Sequence, residues 1–287
     1  MVDEPLALSA PLARKLAGEL CRTEPATGET CAWYHGFWQY LRLLGMGTSP
    51  AGHAGFFRDA FARLAGRPAR VLVAGGADYS MLAHAIAACR SAGVQAQFTM
   101  VDWCETPLAL ARWYAQRRSL AVQTERRNLL EDGSDEARYD ALCTHALLGH
   151  FRPAERTRLI AGLARALRPG GMLFLANRLR PGAPDAPATF SAAQVEQFVN
   201  AVAAQWREAG PLAGIDVAQF VEAARRYAAR QISWPVRSLE EVQTLFESGG
   251  FGVEQLTAAP MDAPRDTLDV PTVAGGADYA RIVAVKR

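Results

Sequence analysis

No CxxC pair occurs among the five cysteines, Cys21, Cys31, Cys89, Cys104 and Cys143, and their number is odd. A disulfide framework and a thiolate zinc site are therefore not expected, and the thiols fit a reducing cytoplasm. The five histidines are scattered along the chain, so no metal centre is expected from them either. No apolar run reaches the length of a membrane span. The opening MVDEPLALSAPLARKL is acidic and lacks the apolar core of a signal peptide, so none is expected. No Lys/Arg block is long enough for a polyanion groove, and a formal net charge of +2 gives no reason to expect nucleic acid or an anionic membrane as partner. Internal repeats and low-complexity tracts are missing as well. What remains is an ordinary globular balance, 50% hydrophobic and 21% charged over 287 residues, enough for one domain or one and a half.

The stretch that organises the chain is Arg70 to Leu82, RVLVAGGADYSML. Val71-Leu72-Val73 reads as a short buried strand, Gly75-Gly76 as a sharp turn and Tyr79 onward as a helix. The N–H groups of such a turn are unpaired and can meet a polar or anionic ligand. Gly75, Gly76, Asp78 and Tyr79 are therefore candidate ligand contacts, with helix capping the alternative role for Asp78. A second strand, Gln97 to Val101, ends in Asp102. An acid at that tip lies beside the glycine turn, where it can accept both hydroxyls of a ribose. The dinucleotide fingerprint G-x-G-x-x-G is not met by Gly75-Gly76-Ala77-Asp78-Tyr79-Ser80.

Further on stand Tyr139-Asp140-Ala141-Leu142-Cys143-Thr144 and Leu167-Arg168-Pro169-Gly170-Gly171-Met172-Leu173-Phe174-Leu175. With these motifs, over about residues 65 to 180, the chain resembles the class I S-adenosylmethionine-dependent methyltransferases. The resemblance implies an α/β fold: a Rossmann-like sheet, mostly parallel with an antiparallel last strand. It also implies S-adenosylmethionine as cofactor and no metal. Gly75 and Gly76 match the first part of the family's glycine motif, but Val73 stands where the family has an acid, and Ala77 and Tyr79 replace later glycines. Asp102 then takes the ribose, and Trp103 either lies against adenine or packs in the core. Asn128 occupies the position at which the family reads the adenine amino group, and Leu129 can offer its backbone N–H to the ring; a turn role for Asn128 is the alternative. Thr144 and His145 end the fourth strand where a methyl group would leave, with His145, or His150 beyond it, a candidate general base.

Residues 1–65 read as an N-terminal helical lid, and residues 66–287 as the cofactor-binding domain with a helical insertion at 181–235. Within the lid, Tyr34, Phe37, Trp38, Leu41 and Leu44 fall on one helical face, while Trp33 and Tyr40 lie off it, as in a helix covered on two sides. Tyr34 and Trp38, four apart, can offer π-faces to a sulfonium, with Tyr79 a third candidate. The function expected is methylation of a small molecule in secondary metabolism. The alternative is a cyclase that closes the cofactor's own methionyl arm to azetidine-2-carboxylate and releases methylthioadenosine. A third reading is a non-catalytic cofactor-binding regulator. The partner expected is a small-molecule acceptor, or none for a cyclase; a homodimer is left open, and the expected location is the cytoplasm.

Overall fold

The computed structural model describes residues 2–23, 28–131, 137–260 and 278–287. Three helices come first: α1 (Leu6–Leu20), α2 (Ala32–Leu43) and α3 (Ala54–Ala62). Strand and helix then alternate as β1 (Ala69–Ala74), α4 (Ser80–Ser91), β2 (Ala96–Asp102), α5 (Glu105–Arg117), β3 (Val122–Arg126), β4 (Tyr139–His145), α6 (Pro153–Ala166) and β5 (Leu167–Arg178). Next come a two-residue strand β6 (Ala188–Thr189), helices α7 (Ala192–Ala209) and α8 (Val217–Arg230), and β7 (Ile232–Ser233), which pairs with β6. Helix α9 (Leu239–Ser248) and strands β8 (Phe251–Pro260) and β9 (Asp278–Lys286) close the chain.

Among the described residues, seven strands form the main sheet in the order β3-β2-β1-β4-β5-β9-β8. The first five run parallel, and β9 runs antiparallel to both β5 and β8. β1 shows why this sheet is a buried one. Its apolar run is continuous, and the two-residue period of a strand sends alternate side chains to opposite faces. Val71 and Val73 join Phe57, Phe61, Leu82 and Leu108 in a core on the side of α3, α4 and α5. Leu72 and Ala74 join Leu159, Ile160, Val242 and Phe246 on the side of α6 and α9. The chain leaves β1 for β2 on one side and later returns to place β4 on the other. A crevice opens at the carboxyl ends where that order reverses, and ligands of open α/β sheets bind there.

Local chemistry sets the helix boundaries. Pro153 occupies the first turn of α6, where its missing N–H costs nothing. Ser191 and Asp216 start α7 and α8 with reciprocal capping boxes to Gln194 and Gln219, and Ser238 accepts the Glu241 N–H at the start of α9. Helix α1 begins at Leu6 and carries Pro11 inside it. In the Leu167–Gly171 stretch that opens β5, a Cβ at Gly171 would lie 2.8 Å from the Arg168 carbonyl oxygen and 3.2 Å from that of Tyr139, so glycine alone fits.

The N-terminal helices and the inserted pair share a third core. Phe37, Tyr40 and Leu41 of α2 meet Phe198 and Val202 of α7 and Phe220 and Tyr227 of α8. Helix α2 therefore packs on α8 by one side and on α1 by another, as its aromatics on both faces require. No described helix is long and apolar enough to cross a membrane.

Candidate active site

The glycine turn comes from a strand that must reverse into a helix within a few residues. Gly75 has φ +69°, which a side chain would strain, and a Cβ there would lie 2.7 Å from Leu147 Cδ1. Its N–H donates to the Val101 carbonyl at 2.9 Å, locking the turn to β2. At the tip of β2, Asp102 accepts the Gly76 N–H at 3.0 Å on one oxygen and the Cys104 N–H at 2.7 Å on the other. A carboxylate has about four lone-pair sites, so two remain for a ligand. Burial pushes the Asp102 carboxyl up to about 6, against the lowering effect of His35 and the two backbone donors.

These residues border a cavity of about 1110 Å³ at the carboxyl ends of β1, β2 and β4. Its wall includes Gly75, Gly76, Asp78, Asp102, Trp103, Asn128, Leu129 and His145 from the sheet side, and Tyr34, Trp38 and Tyr227 from the helices above. Tyr34 stacks on Trp38 with centroids 5.6 Å apart and on Tyr227 with centroids 6.0 Å apart. Trp103 is 47% exposed, with the Arg22 guanidinium 4.1 Å from its ring centroid. It is therefore no core residue. Asn128 uses its side chain in its own turn, accepting the Leu130 N–H and donating to Glu131; one N–H and one lone pair are left for a ligand.

Two expected site residues lie elsewhere. Tyr79 is fully buried outside the cavity wall, stacked on Tyr114 at 4.6 Å with its hydroxyl 2.9 Å from Ser9 Oγ. The turn aims it into the layer between α1 and α5, so it offers no π-face to a ligand. Thr144 is also buried and off the wall, its hydroxyl without a partner. The reason is strand periodicity: His145 reaches the cavity, so its predecessor must point to the other face.

His145 borders the cavity, but its Nε2 is buried without a partner, so the cavity can reach only Nδ1. Burial first, then the charges of His53, Arg42 and His84, hold it well below the ordinary histidine value, so it is neutral. His53 lies behind it with ring centroids 5.3 Å apart, and burial and Arg281 push His53 down to about 3.

Residues 79–171 match the family model described as a methyltransferase domain. Over those residues the chain is similar to a methyltransferase domain, and they lie on a Rossmann-like sheet. A search of curated proteins found no match to this chain. Among solved structures, the [4+2]-cyclase SpnF is similar with a TM-score of 0.53 and 17% identity, over 98% of this chain and 93% of that one. The S-adenosylmethionine-dependent methyltransferase SibL in its apo form is similar with a TM-score of 0.52 and 15% identity, over 98% of this chain and 70% of that one. At such identities the likeness is one of fold.

Against this methyltransferase background the turn is altered. Val73, at the acid position, is fully buried in β1. The acid that remains, Asp78, borders the cavity but is neutralised by Arg42 Nη1 at 2.8 Å; it also accepts from Gln39 at 3.3 Å and from the Ser80 N–H at 2.7 Å. Arg42 reaches Glu4 as well, at 2.7 Å, and Glu4 meets His84 at 3.3 Å. Burial alone would raise Glu4, but the His84 hydrogen bond and the Arg42 charge override it and hold Glu4 at about 2. Sequence reasoning missed Arg42 because nothing local pairs it with Asp78.

It also missed Tyr227, which comes from the insertion, and a cluster at the edge of the cavity. Cys21, Cys31 and Cys104 have sulfurs within 4.8 Å of one another, although their spacing forms no motif. Hydrogen bonds from Cys21 and Cys31 pull the Cys104 thiol strongly down, against burial. Burial opposes the protonated form of His35, yet Cys104 and Cys31 beside it carry its value well up. The signal for this convergence was tertiary: Cys104 follows Asp102 by two residues and meets Cys31 from the start of α2.

Proposed function

We propose that this chain transfers the methyl group of S-adenosylmethionine to a small molecule enclosed in the cavity. The observation that carries the reading is the size of the cavity beside a poised ribose acid. About 1110 Å³ exceeds the ordinary range of roughly 300–1,000 Å³ for a single-ligand pocket, so cofactor and acceptor fit together. Asp102 holds the ribose hydroxyls with its two free lone-pair sites. Trp103 and the Asn128-Leu129 turn border the adenine end, and Tyr34 and Trp38 face the sulfonium with polarisable π-surfaces. No carboxylate is needed there; one would favour the cationic ground state over a transition state in which that charge disperses.

In the transfer, an acceptor lone pair forms the bond to the methyl carbon while the carbon–sulfur pair returns to sulfur, which becomes neutral. The protein supplies alignment and exclusion of water. A hydroxyl acceptor becomes strongly acidic once it has been alkylated, so even the weakly basic, neutral His145 suffices to take its proton. The roof of α2 and α8, closed by the Tyr34–Tyr227 stack, suits a small acceptor rather than a macromolecular one.

A second reading draws on the same aromatic wall and on the altered glycine turn. The methionyl amino group attacks its own γ-carbon, the carbon–sulfur bond breaks, and azetidine-2-carboxylate and methylthioadenosine result. One experiment separates the two. Pure protein is incubated with S-adenosylmethionine, alone and with a panel of phenols, thiols and amines, and the nucleoside product is identified. Adenosylhomocysteine formed only with an acceptor supports transfer. Methylthioadenosine formed without one overturns it in favour of cyclisation, and tight binding without turnover overturns both in favour of a regulator.

A further inference from the structure

Three of the five cysteines leave the apolar core and meet one another. Cys89 and Cys143 are members of the core on the α3–α5 side of the sheet. Cys21, at the end of α1, Cys31, at the start of α2, and Cys104, in the loop after β2, are not. The Cys104 sulfur lies 3.6 Å from that of Cys31 and 3.7 Å from that of Cys21. We propose that Cys21, Cys31 and Cys104, with His35 as fourth donor, bind a thiophilic d¹⁰ divalent cation of the zinc type, which clamps the N-terminal helices to the loop that follows the ribose acid.

The distances argue for this occupant. Donors at a metal–sulfur distance of about 2.3 Å in a tetrahedron place their sulfurs about 3.8 Å apart, so the two spacings from Cys104, 3.6 and 3.7 Å, need almost no adjustment. A disulfide would require two sulfurs to close to about 2.05 Å and would strand the third. The fourth donor is oriented as a metal-binding imidazole is. His35 Nδ1 lies 3.2 Å from the Ala77 carbonyl oxygen, which fixes the proton on Nδ1 and leaves Nε2 for the sulfur side. His35 is not within 4.8 Å of all three sulfurs, so its ring shifts toward them to become the fourth donor. An outer contact is present too: Thr106 Oγ1 is 3.2 Å from the Cys21 sulfur and can donate to it when it is a thiolate. The four donors come from three separate places in the sequence, so a cation here joins the lid to the sheet beside Asp102. This site is independent of which reaction the cavity performs.

The test uses the full chain, reduced and stripped with a chelator, and titrated with Co²⁺ alone. Wild-type protein should bind one equivalent and develop the thiolate-to-cobalt charge-transfer band and intense d–d bands of a tetrahedral site, both abolished by added Zn²⁺. Cys31→Ser and Cys104→Ser should weaken binding on the order of a hundredfold or more, and His35→Gln should alter the d–d spectrum. Cys89→Ser, outside the cluster, should behave as wild type. Chelator should lower the melting temperature of the wild type but not of Cys104→Ser. The proposal is overturned if reduced wild-type protein shows no charge-transfer band, or if the band persists undiminished in both Cys31→Ser and Cys104→Ser.

Discussion

Replacing Arg42 by Met tests whether the N-terminal helices are fastened to the sheet domain through buried charge. The guanidinium is 4% exposed and reaches Asp78 at 2.8 Å, Glu4 at 2.7 Å and Ser49 Oγ at 3.2 Å. Methionine keeps most of the volume but leaves two carboxylates, 2% and 12% exposed, without their shared cation. Breaking a buried pair in this one-sided way costs about 3–5 kcal/mol. For a chain of this size that corresponds to a fall in melting temperature on the order of 10 °C. The pH dependence adds a second signature. Glu4 is held at about 2, below its ordinary value of 4.5, so the folded state binds fewer protons than the unfolded one between these limits. Its contribution, about 3 kcal/mol, is complete above the unfolded value and is lost as pH falls through the window toward the folded one. Without Arg42 the Glu4 value rises, so the gap between Arg42→Met and wild type should narrow as the medium is acidified from neutral toward about pH 3. Thermal and urea denaturation at a series of pH values measure both effects. An unchanged melting temperature near neutrality, or a deficit independent of pH, would refute the fastening.

Asp102→Ala should weaken S-adenosylmethionine binding by about 2–4 kcal/mol through loss of two charge-assisted hydrogen bonds, with calorimetric titration as the measure. Because the Asp102 carboxyl is raised to about 6, wild-type affinity should also fall as pH drops through that value, a dependence that the alanine variant should lack. Tyr34→Leu and Trp38→Leu should each weaken the cationic cofactor more than neutral methylthioadenosine, by about 0.5–2 kcal/mol; equal losses would leave these rings a packing role alone. Thr144→Val should preserve turnover and keep or raise stability, since it removes a buried hydroxyl that has no partner. A large loss of kcat in that variant would return Thr144 to the chemistry.

Backbone chemistry was legible in the sequence. The Val71–Val73 run, the Gly75-Gly76 turn, Asp102 at its strand tip and the Leu167–Gly171 motif each carry their geometry locally. So do the caps Ser191, Asp216 and Ser238, because an N-cap is a contact over three residues. Side-chain direction after a turn was not legible. Tyr79 follows the glycines one residue after Asp78, yet one residue turns inward and the other toward the cavity. Thr144 and His145 show the same limit in a strand, where a one-residue offset decides which face is reached. Tertiary convergence was least legible. Arg42 with Asp78, Tyr227 with Tyr34, and Cys104 with Cys21 and Cys31 are contacts between distant segments, and the cysteine spacing pointed away from a cluster.

The Tyr34–Tyr227 stack also bears on how the protein is made. Helix α2 presents Trp33, Tyr34, Phe37 and Trp38 early in synthesis, but their packing partners Phe198, Phe220 and Tyr227 emerge only after most of the sheet has been translated. At about 5–20 residues per second, this aromatic helix waits some ten to forty seconds on the ribosome with its α8-facing side uncovered. During that interval the emerging chain carries an apolar face of the kind that chaperones hold. Slow translation between residues 45 and 227 would prolong that exposure and lower the yield of soluble protein, with no change in the finished fold.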